Sequence, residues 1–364
     1  MGYMILLTIV VFIGVFAAIV LVHEWGHFVT ARKAGIKVEE FGFGFPPKMF
    51  SFKKNDVVYS INWIPLGGFV KIYGEDADAK GEEYSFGAKP ILTRSVVILA
   101  GVTMNFVLAI VLLSFGFWYG VPQAIDEDTK YAARDVHVTI IQTAPESPAQ
   151  KAGIKIGDAL TGVAFAGVKT DIAETKAAQD FIAAHKGQEI SLFIQRGSEM
   201  LEKKVTPREN APENQGAMGV VLEKTGIVSY PWYLAPVEGV KTAFSLAWLF
   251  LSAFGQIIAN VFTQGEPIGD IAGPVGIAMM TYQVTQLGFS YIIQFAVILS
   301  INLAIINALP FPALDGGRFL FLMIEAIKGS PLSRRVEQMA NASGFVFLML
   351  LMLLITVRDV MKLF

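Results

Sequence analysis

The chain has 364 residues, 54% of them hydrophobic and 16% charged, with 29 basic against 31 acidic side chains. Soluble domains carry about 25% charged residues, so a wholly soluble chain is excluded, and the near-neutral balance leaves no footprint for nucleic acid. Cysteine is absent, which removes disulfides, thiolate metal sites and thiol nucleophiles; a metal site must draw on Asp, Glu and four histidines, His23, His27, His137 and His185.

A bilayer core needs roughly 20 apolar residues as helix, and five uncharged runs reach that length. The first, Met1–Val22, has neither the basic n-region nor the small-residue cleavage site of a signal peptide, and it reads as a retained span. Arg32–Arg94 follows, with ten Lys/Arg and many Gly and aromatic residues. Ser95–Ile125 is the second run. Asp126–Val228 then resembles an ordinary soluble domain, with mixed charges and short β-type runs at Val136–Ile141 and Ile190–Gln195. Thr242–Gly265, Ile271–Leu314 and Gln338–Val357 complete the apolar set, and the loop Arg318–Glu337 adds four basic residues. The positive-inside rule puts the Arg32–Arg94 and Arg318–Glu337 loops in the cytoplasm, with Asp126–Val228 across the membrane.

Chemistry concentrates at His23-Glu24-Trp25-Gly26-His27, an H-E-x-x-H motif closing the first run. On a helix, residues i and i+4 lie about 40° apart, so both imidazoles face one ion, while Glu24 is offset by about 100° from His23 and about 60° from His27. That offset suits a carboxylate that holds a water rather than the metal. Zn²⁺ takes imidazole and carboxylate ligands, and a catalytic site uses three of them plus a water. The third ligand is expected among ionisable groups at membrane depth, which are functional by default. Asp315 is such a group, after Asn307-Ala308-Leu309-Pro310-Phe311-Pro312-Ala313-Leu314. Pro310 and Pro312 stop regular helix there, and irregular backbone at this depth belongs inside protein or beside a watery cavity. The plainer alternative is a helix ending at the interface with a solvated Asp.

For His27 and Asp315 to share an ion, an even number of crossings must separate them. Ser95–Tyr119 and Tyr291–Leu309 supply two. Trp232–Phe262 is therefore expected as an interfacial or cavity-lining amphipathic helix rather than a span, with Trp232, Tyr233 and Trp248 suited to that position.

These residues resemble the bacterial site-2 protease family, of the regulator of sigma-E protease type. The resemblance rests on His23-Glu24-x-x-His27 and Asn307-x-x-Pro310-x-Pro312-x-Leu314-Asp315-Gly316. It extends to Gly101-Val102-Thr103-Met104-Asn105, Pro65-Leu66-Gly67-Gly68-Phe69-Val70-Lys71 within Phe41–Tyr73, and Ala272-Gly273-Pro274-Val275-Gly276. It implies a polytopic α-helical membrane protein with four transmembrane helices, a membrane-associated β-hairpin segment and one inserted α+β PDZ domain. The expected organisation is residues 1–36, first transmembrane helix; 37–90, cytoplasmic-side β region; 91–125, second helix; 126–228, PDZ domain; 229–283, amphipathic interfacial helices; 284–328, third helix; 329–364, fourth helix. It also implies an intramembrane zinc endopeptidase of the inner membrane, its site toward the cytoplasm and its PDZ domain outside. His23, His27 and Asp315 would hold Zn²⁺ and Glu24 would be the general base. Asn307 would contact unwound substrate, and Asn105 would line the substrate path, with a plain helix–helix hydrogen bond as its alternative.

Ser147-Pro148-Ala149-Gln150-Lys151-Ala152-Gly153-Ile154-Lys155-Ile156-Gly157-Asp158 carries the PDZ resemblance, with Gly153 and Gly157 supplying turns and Asp158 bracing them. Expected partners are single-span membrane proteins already trimmed outside, such as anti-sigma factors or remnant signal peptides, together with lipid; the PDZ domain either binds a peptide ligand or acts as a filter against bulky, uncleaved substrates. His137 and His185 read as surface or core histidines. The competing classes are a transporter, since broken helices and midplane polar groups also suit transport, and an inactive PDZ scaffold.

Overall fold

The computed structural model describes residues 2–75, 82–125, 131, 133–197, 199–212, 215–263 and 272–361. In chain order its elements are α1 (Gly2–Lys33), β1 (Val38–Lys54), β2 (Val57–Ile72), α2 (Ile91–Tyr119), β3 (Val121–Ala124), β4 (Ala133–Thr143), α3 (Pro148–Lys151), β5 (Ala159–Phe165) and β6 (Val168–Asp171). Then come α4 (Thr175–Ala184), β7 (Ile190–Arg196), β8 (Glu199–Val205), β9 (Val220–Val228), α5 (Ala235–Thr263), α6 (Pro274–Leu287), α7 (Phe289–Ala308), α8 (Asp315–Lys328) and α9 (Arg334–Met361). They form two compact units: Met1–Ser114, Pro236–Tyr282 and Ile293–Phe364 make the first, Phe115–Ala235 and Gln283–Ile292 the second.

Among the described residues, five helices are long and apolar enough to cross a membrane: α1, α2, α5, α7 and α9. At 14 residues each, α6 and α8 reach only about 21 Å, short of a hydrocarbon core of about 30 Å.

Close helix approach organises the first unit. An added Cβ at Gly26 of α1 would sit 2.5 Å from the Ala100 carbonyl oxygen of α2, so only glycine lets these backbones meet. Phe28, Ile36, Val38, Val57, Ile72, Val97, Ile98 and Leu322 then form one buried cluster that ties α1, β1, β2, α2 and α8 together. Arg94 at the start of α2 makes a bidentate pair with Glu325 of α8, at 3.0 and 2.6 Å. Alongside α2 runs α5 in the opposite direction: Gly239 meets Ser114, and five residues on, the Phe244 ring lies 5.0 Å from that of Phe106. At the far end of α9, the buried Asp359 carboxylate accepts from Gly273 N (2.9 Å) and Gly276 N (2.8 Å), capping α6. The glycines of Ala272-Gly273-Pro274-Val275-Gly276 are thus sites of close approach to α9.

The hairpin β1–β2 is folded on itself. Phe41 pairs with Val70 on one side and Tyr59 on the other, and Tyr59 pairs onward with Phe52. Four strand runs result, with residues 68–72 at one edge and 50–54 at the other. Phe45, Met49, Phe50, Phe52 and Trp63 are exposed, as expected of a lipid-facing surface.

In the second unit an antiparallel sheet has the order β3-β9-β4-β5-β7-β8, with β6 beside β5. Val138, Ile140, Leu160, Val163, Ile190, Leu192 and Ile194 fill its core beneath Ala149 of α3 and Ala178 and Ile182 of α4. Gly153 and Gly157 take φ of 73° and 89°. Asp158, 0% exposed, accepts from Arg196 Nε (2.6 Å) and Nη2 (2.7 Å) and from Lys155 N (2.8 Å), so the turn is braced through a buried carboxylate.

Candidate metal centre

The site lies wholly within the first unit. His23 and His27, one turn apart on α1, bring their Nε2 atoms to 3.2 Å. Asp315 Oδ2, at the first residue of α8, lies 3.2 Å from His23 Nε2 and 3.5 Å from His27 Nε2. Among the described residues these three are the group able to hold a metal ion.

Asp315 reaches the site because α7 stops at Ala308 and the chain doubles back. Ala313 has φ of 76°. Gly316 and Gly317 are buried, and a Cβ on either would overlap the carbonyl oxygens of Ala308, Leu309 or Phe311. Asn341 Oδ1 of α9 accepts from Ala313 N at 3.0 Å, holding the broken segment from the other side. The two prolines and two glycines of this stretch therefore turn a carboxylate toward the end of a distant helix. Its place in the first turn of α8 also sets it in the favourable field of a helix N-terminus.

The donor set fits zinc. With Zn–N and Zn–O bonds of about 2.0–2.2 Å, a tetrahedral site has ligand–ligand edges of about 3.3–3.6 Å; the three observed edges are 3.2, 3.2 and 3.5 Å. Asp315 Oδ2 is buried with no hydrogen-bond partner aligned to it, a costly arrangement unless a cation takes up the lone pair. His27 is already in the ligating tautomer. Its Nδ1 lies 2.9 Å from the Val97 carbonyl oxygen, which only accepts, so Nδ1 carries the proton and Nε2 keeps its lone pair. These three side chains are a donor set that could hold Zn²⁺.

Glu24 is half-buried and lines, with both histidines and Asp315, a cavity of about 710 Å³. The same cavity is lined by β2 from Gly68 to Ile72, continued by Tyr73, Gly74 and Glu75. Arg318, one turn along α8 from Asp315, also lines it and donates to Glu75 Oε1 at 2.6 Å. Gly68 is where the sheet meets α1: a Cβ there would come within 2.9 Å of Glu24 Cγ. Gly101 has the same part for α2, since its Cβ would overlap His27 Nε2 and lie 2.7 and 2.8 Å from His23 Cε1 and Nε2. Asn105, one turn further on, is 0% exposed and sits 3.3 Å from His23 Nδ1. It is not among the residues lining the cavity, and neither is Asn307, half-buried in the last turn of α7. Sequence reasoning assigned no part to Gly101, Val97, Arg318 or Glu75. Only Gly101 left a signal, through its spacing of four from Asn105 on one helix face. His137 and His185 belong to the second unit, where His185 packs against the rings of Phe165 and Phe181.

Comparison with known proteins identifies the family of the chain. The sequence profile of Peptidase family M50 matches residues 11–351. The chain is similar to "Zinc metalloprotease RasP" of Geobacillus kaustophilus, 31% identical over a 442-residue alignment covering 98% of each chain. It is similar to "Putative zinc metalloprotease all3971" of Nostoc sp., 34% identical over 372 residues, with 98% of this chain and 97% of the relative covered. A further relative is "Regulator of sigma-W protease RasP" of Bacillus subtilis, 30% identical over 444 residues, covering 98% of this chain and 99% of the other. The chain belongs to Peptidase family M50, the site-2 proteases, and is a multi-pass membrane zinc metalloprotease.

Proposed function

We propose that this protease cuts peptide bonds within or next to the transmembrane segments of single-span proteins already trimmed on the outer side, such as anti-sigma factors or remnant signal peptides. The observation that carries the reading is the convergence of His23, His27, Asp315 and Glu24 on one cavity that β2 residues from Gly68 onward also line. Among the described residues, Gly68, Phe69 and Val70 pair with β1 on one side only. A substrate helix satisfies its own backbone and must unwind before attack; the open edge offers replacement partners by strand addition. That stretch of substrate would lie in the cavity that Glu24, His23, His27 and Asp315 line.

Zinc, when bound, supplies a Lewis acid for the scissile carbonyl and an acidified water. Glu24 takes the proton of the attacking water and returns it to the leaving amine. His27, locked by the Val97 carbonyl, keeps its ligating nitrogen aimed throughout. Asn307, beside the broken segment, would meet the unwound backbone.

Charge bias supports a cytoplasmic site, with residues 126–228 on the outer face. The strand and helix order of that region supports a PDZ reading. Among the described residues, β3 covers β9 from Thr225 to Val228, while Val220–Glu223 pairs with β4 alone and lies near α4, where Lys224 pairs with Glu174 at 2.6 Å. A peptide ligand there would add only a short strand.

The test is cleavage of a model transmembrane peptide by the purified chain. Activity should vanish with chelator, return with Zn²⁺, and be lost in Glu24→Gln while zinc stays bound at about one per chain. Cleavage by a metal-free chain, or by Glu24→Gln at the wild-type rate, refutes the mechanism.

A further inference from the structure

His27 has a carbonyl acceptor that fixes its tautomer; His23 faces a side chain whose two ends are opposite in character. The Asn105 carboxamide is 0% exposed, its Nδ2 lies 3.3 Å from His23 Nδ1, and its Oδ1 is buried without a partner. A neutral imidazole carries one N–H. If Nδ2 donates to His23 Nδ1, the ring proton must sit on Nε2, and that nitrogen has no lone pair for a metal. Turning the amide over presents Oδ1 to Nδ1, moves the proton there and frees Nε2. Zinc ligation therefore selects the second arrangement.

We propose that Asn105 is the positioning residue of His23, its carboxamide oxygen accepting from Nδ1–H so that Nε2 is held as a zinc ligand. This deepens the zinc-protease reading and rests on it. Placement supports the assignment: Gly101 and Asn105 share one face of α2 and meet His23 and His27, which share one face of α1, so the glycine gives the room and the amide sets the ring. The packing of α2 on α7 uses a different atom of the same residue, Ser300 Oγ donating to the Asn105 backbone oxygen at 2.8 Å, so the carboxamide can be tested apart from that link.

The experiment measures zinc affinity by chelator competition on the full chain in detergent, for wild type, Asn105→Leu, Asn105→Asp and Ser300→Ala. Loss of a partner that orients a ligand typically costs 10–100-fold in metal affinity, and Asn105→Leu should fall in that range. Asn105→Asp keeps the acceptor and drops the donor, so it should bind zinc as tightly as wild type or more so; Ser300→Ala should be unchanged. Wild-type affinity in Asn105→Leu, or a tenfold loss in Asn105→Asp, overturns the assignment. Should Asn105→Leu fail to fold, Asn105→Asp decides alone. A wild-type chain with no stoichiometric zinc site overturns the zinc reading and this assignment together, whereas a difference missing only among the variants overturns the role of Asn105.

Discussion

Replacing Gly101 by alanine isolates the spacing on which the metal centre depends. In a helix the exchange itself favours alanine by about 1 kcal/mol, so any loss comes from the site. The new Cβ would lie 2.7 and 2.8 Å from His23 Cε1 and Nε2, against ordinary contact near 3.4 Å, and would overlap His27 Nε2 as well. His23 must then retreat by about 0.6–0.7 Å, roughly three times the ~0.2 Å tolerance of a metal–ligand distance. Disturbing the partner of a ligand costs 10–100-fold. Displacing two ligands should reach about 100-fold or more, near 2.7 kcal/mol. Zinc competition with a chromophoric chelator reads this directly, with Gly14→Ala as control because its added Cβ meets nothing within 4 Å. If Gly101→Ala binds zinc within about threefold of wild type, the close packing of α2 against the two imidazoles does not constrain the site.

Three further outcomes follow from other contacts. Gly68→Val would press on Glu24 Cγ and Val20 Cγ1, both 2.9 Å from the first added carbon; cleavage should fall at least tenfold while zinc content holds, and equal loss of both would place Gly68 in the metal framework instead. Asp359→Ala strips the cap from Gly273 N and Gly276 N and should cost about 1–2 kcal/mol, seen as earlier thermal unfolding in detergent, with Asp359→Asn nearer to wild type. Arg196→Ala leaves Asp158, whose side chain is 1% exposed, buried without its guanidinium, a loss of about 3–5 kcal/mol; protease nicking between residues 126 and 228 should accelerate, and an unchanged nicking rate would contradict the brace.

The chemistry was legible because it is written in short-range periodicity. A spacing of four on one helix fixes where His23 and His27 point, and two prolines ahead of Asp315 fix where the helix must break; neither depends on distant partners. What the chain order hides is the partner of each feature. Nothing local in Val97 marks its carbonyl as the acceptor for His27, because every residue carries that group and only the crossing of α1 and α2 selects this one. The fold of β1–β2 into four strand runs was equally hidden: Phe41–Tyr73 reads as a hairpin, and only the double pairing of Phe41 shows that run 68–72 becomes an edge. Asp359 looks like an interfacial charge at the end of an apolar run, and its role needs the glycines 83 and 86 residues earlier.

Topology joins these threads. His27 Nε2 and Asp315 Oδ2 lie 3.5 Å apart, so the crossings between α1 and α8 must be even in number; α2 and α7 would make two. A third crossing by α5 would part the ligands, and α6, at 14 residues, is too short to restore the count. Both ends of the segment point to the same face. Gly239 lies beside Ser114, near the end of α2, and Gly273 is clamped to Asp359 at the end of α9. The start of α9 lies by Pro312, at the end of α7, and the start of α7 lies by the end of α2, where Ser290 donates to the Gly120 carbonyl. The ends of α9 and α2 therefore share a face. We expect α5 to enter beside α2 without emerging on the other side. Because the chain has no cysteine, Thr263→Cys tests this alone: an impermeant maleimide should label it only from the face that labels Glu238→Cys. Labelling of the two from opposite faces would mean that α5 crosses, and that His27 and Asp315 cannot share a zinc ion.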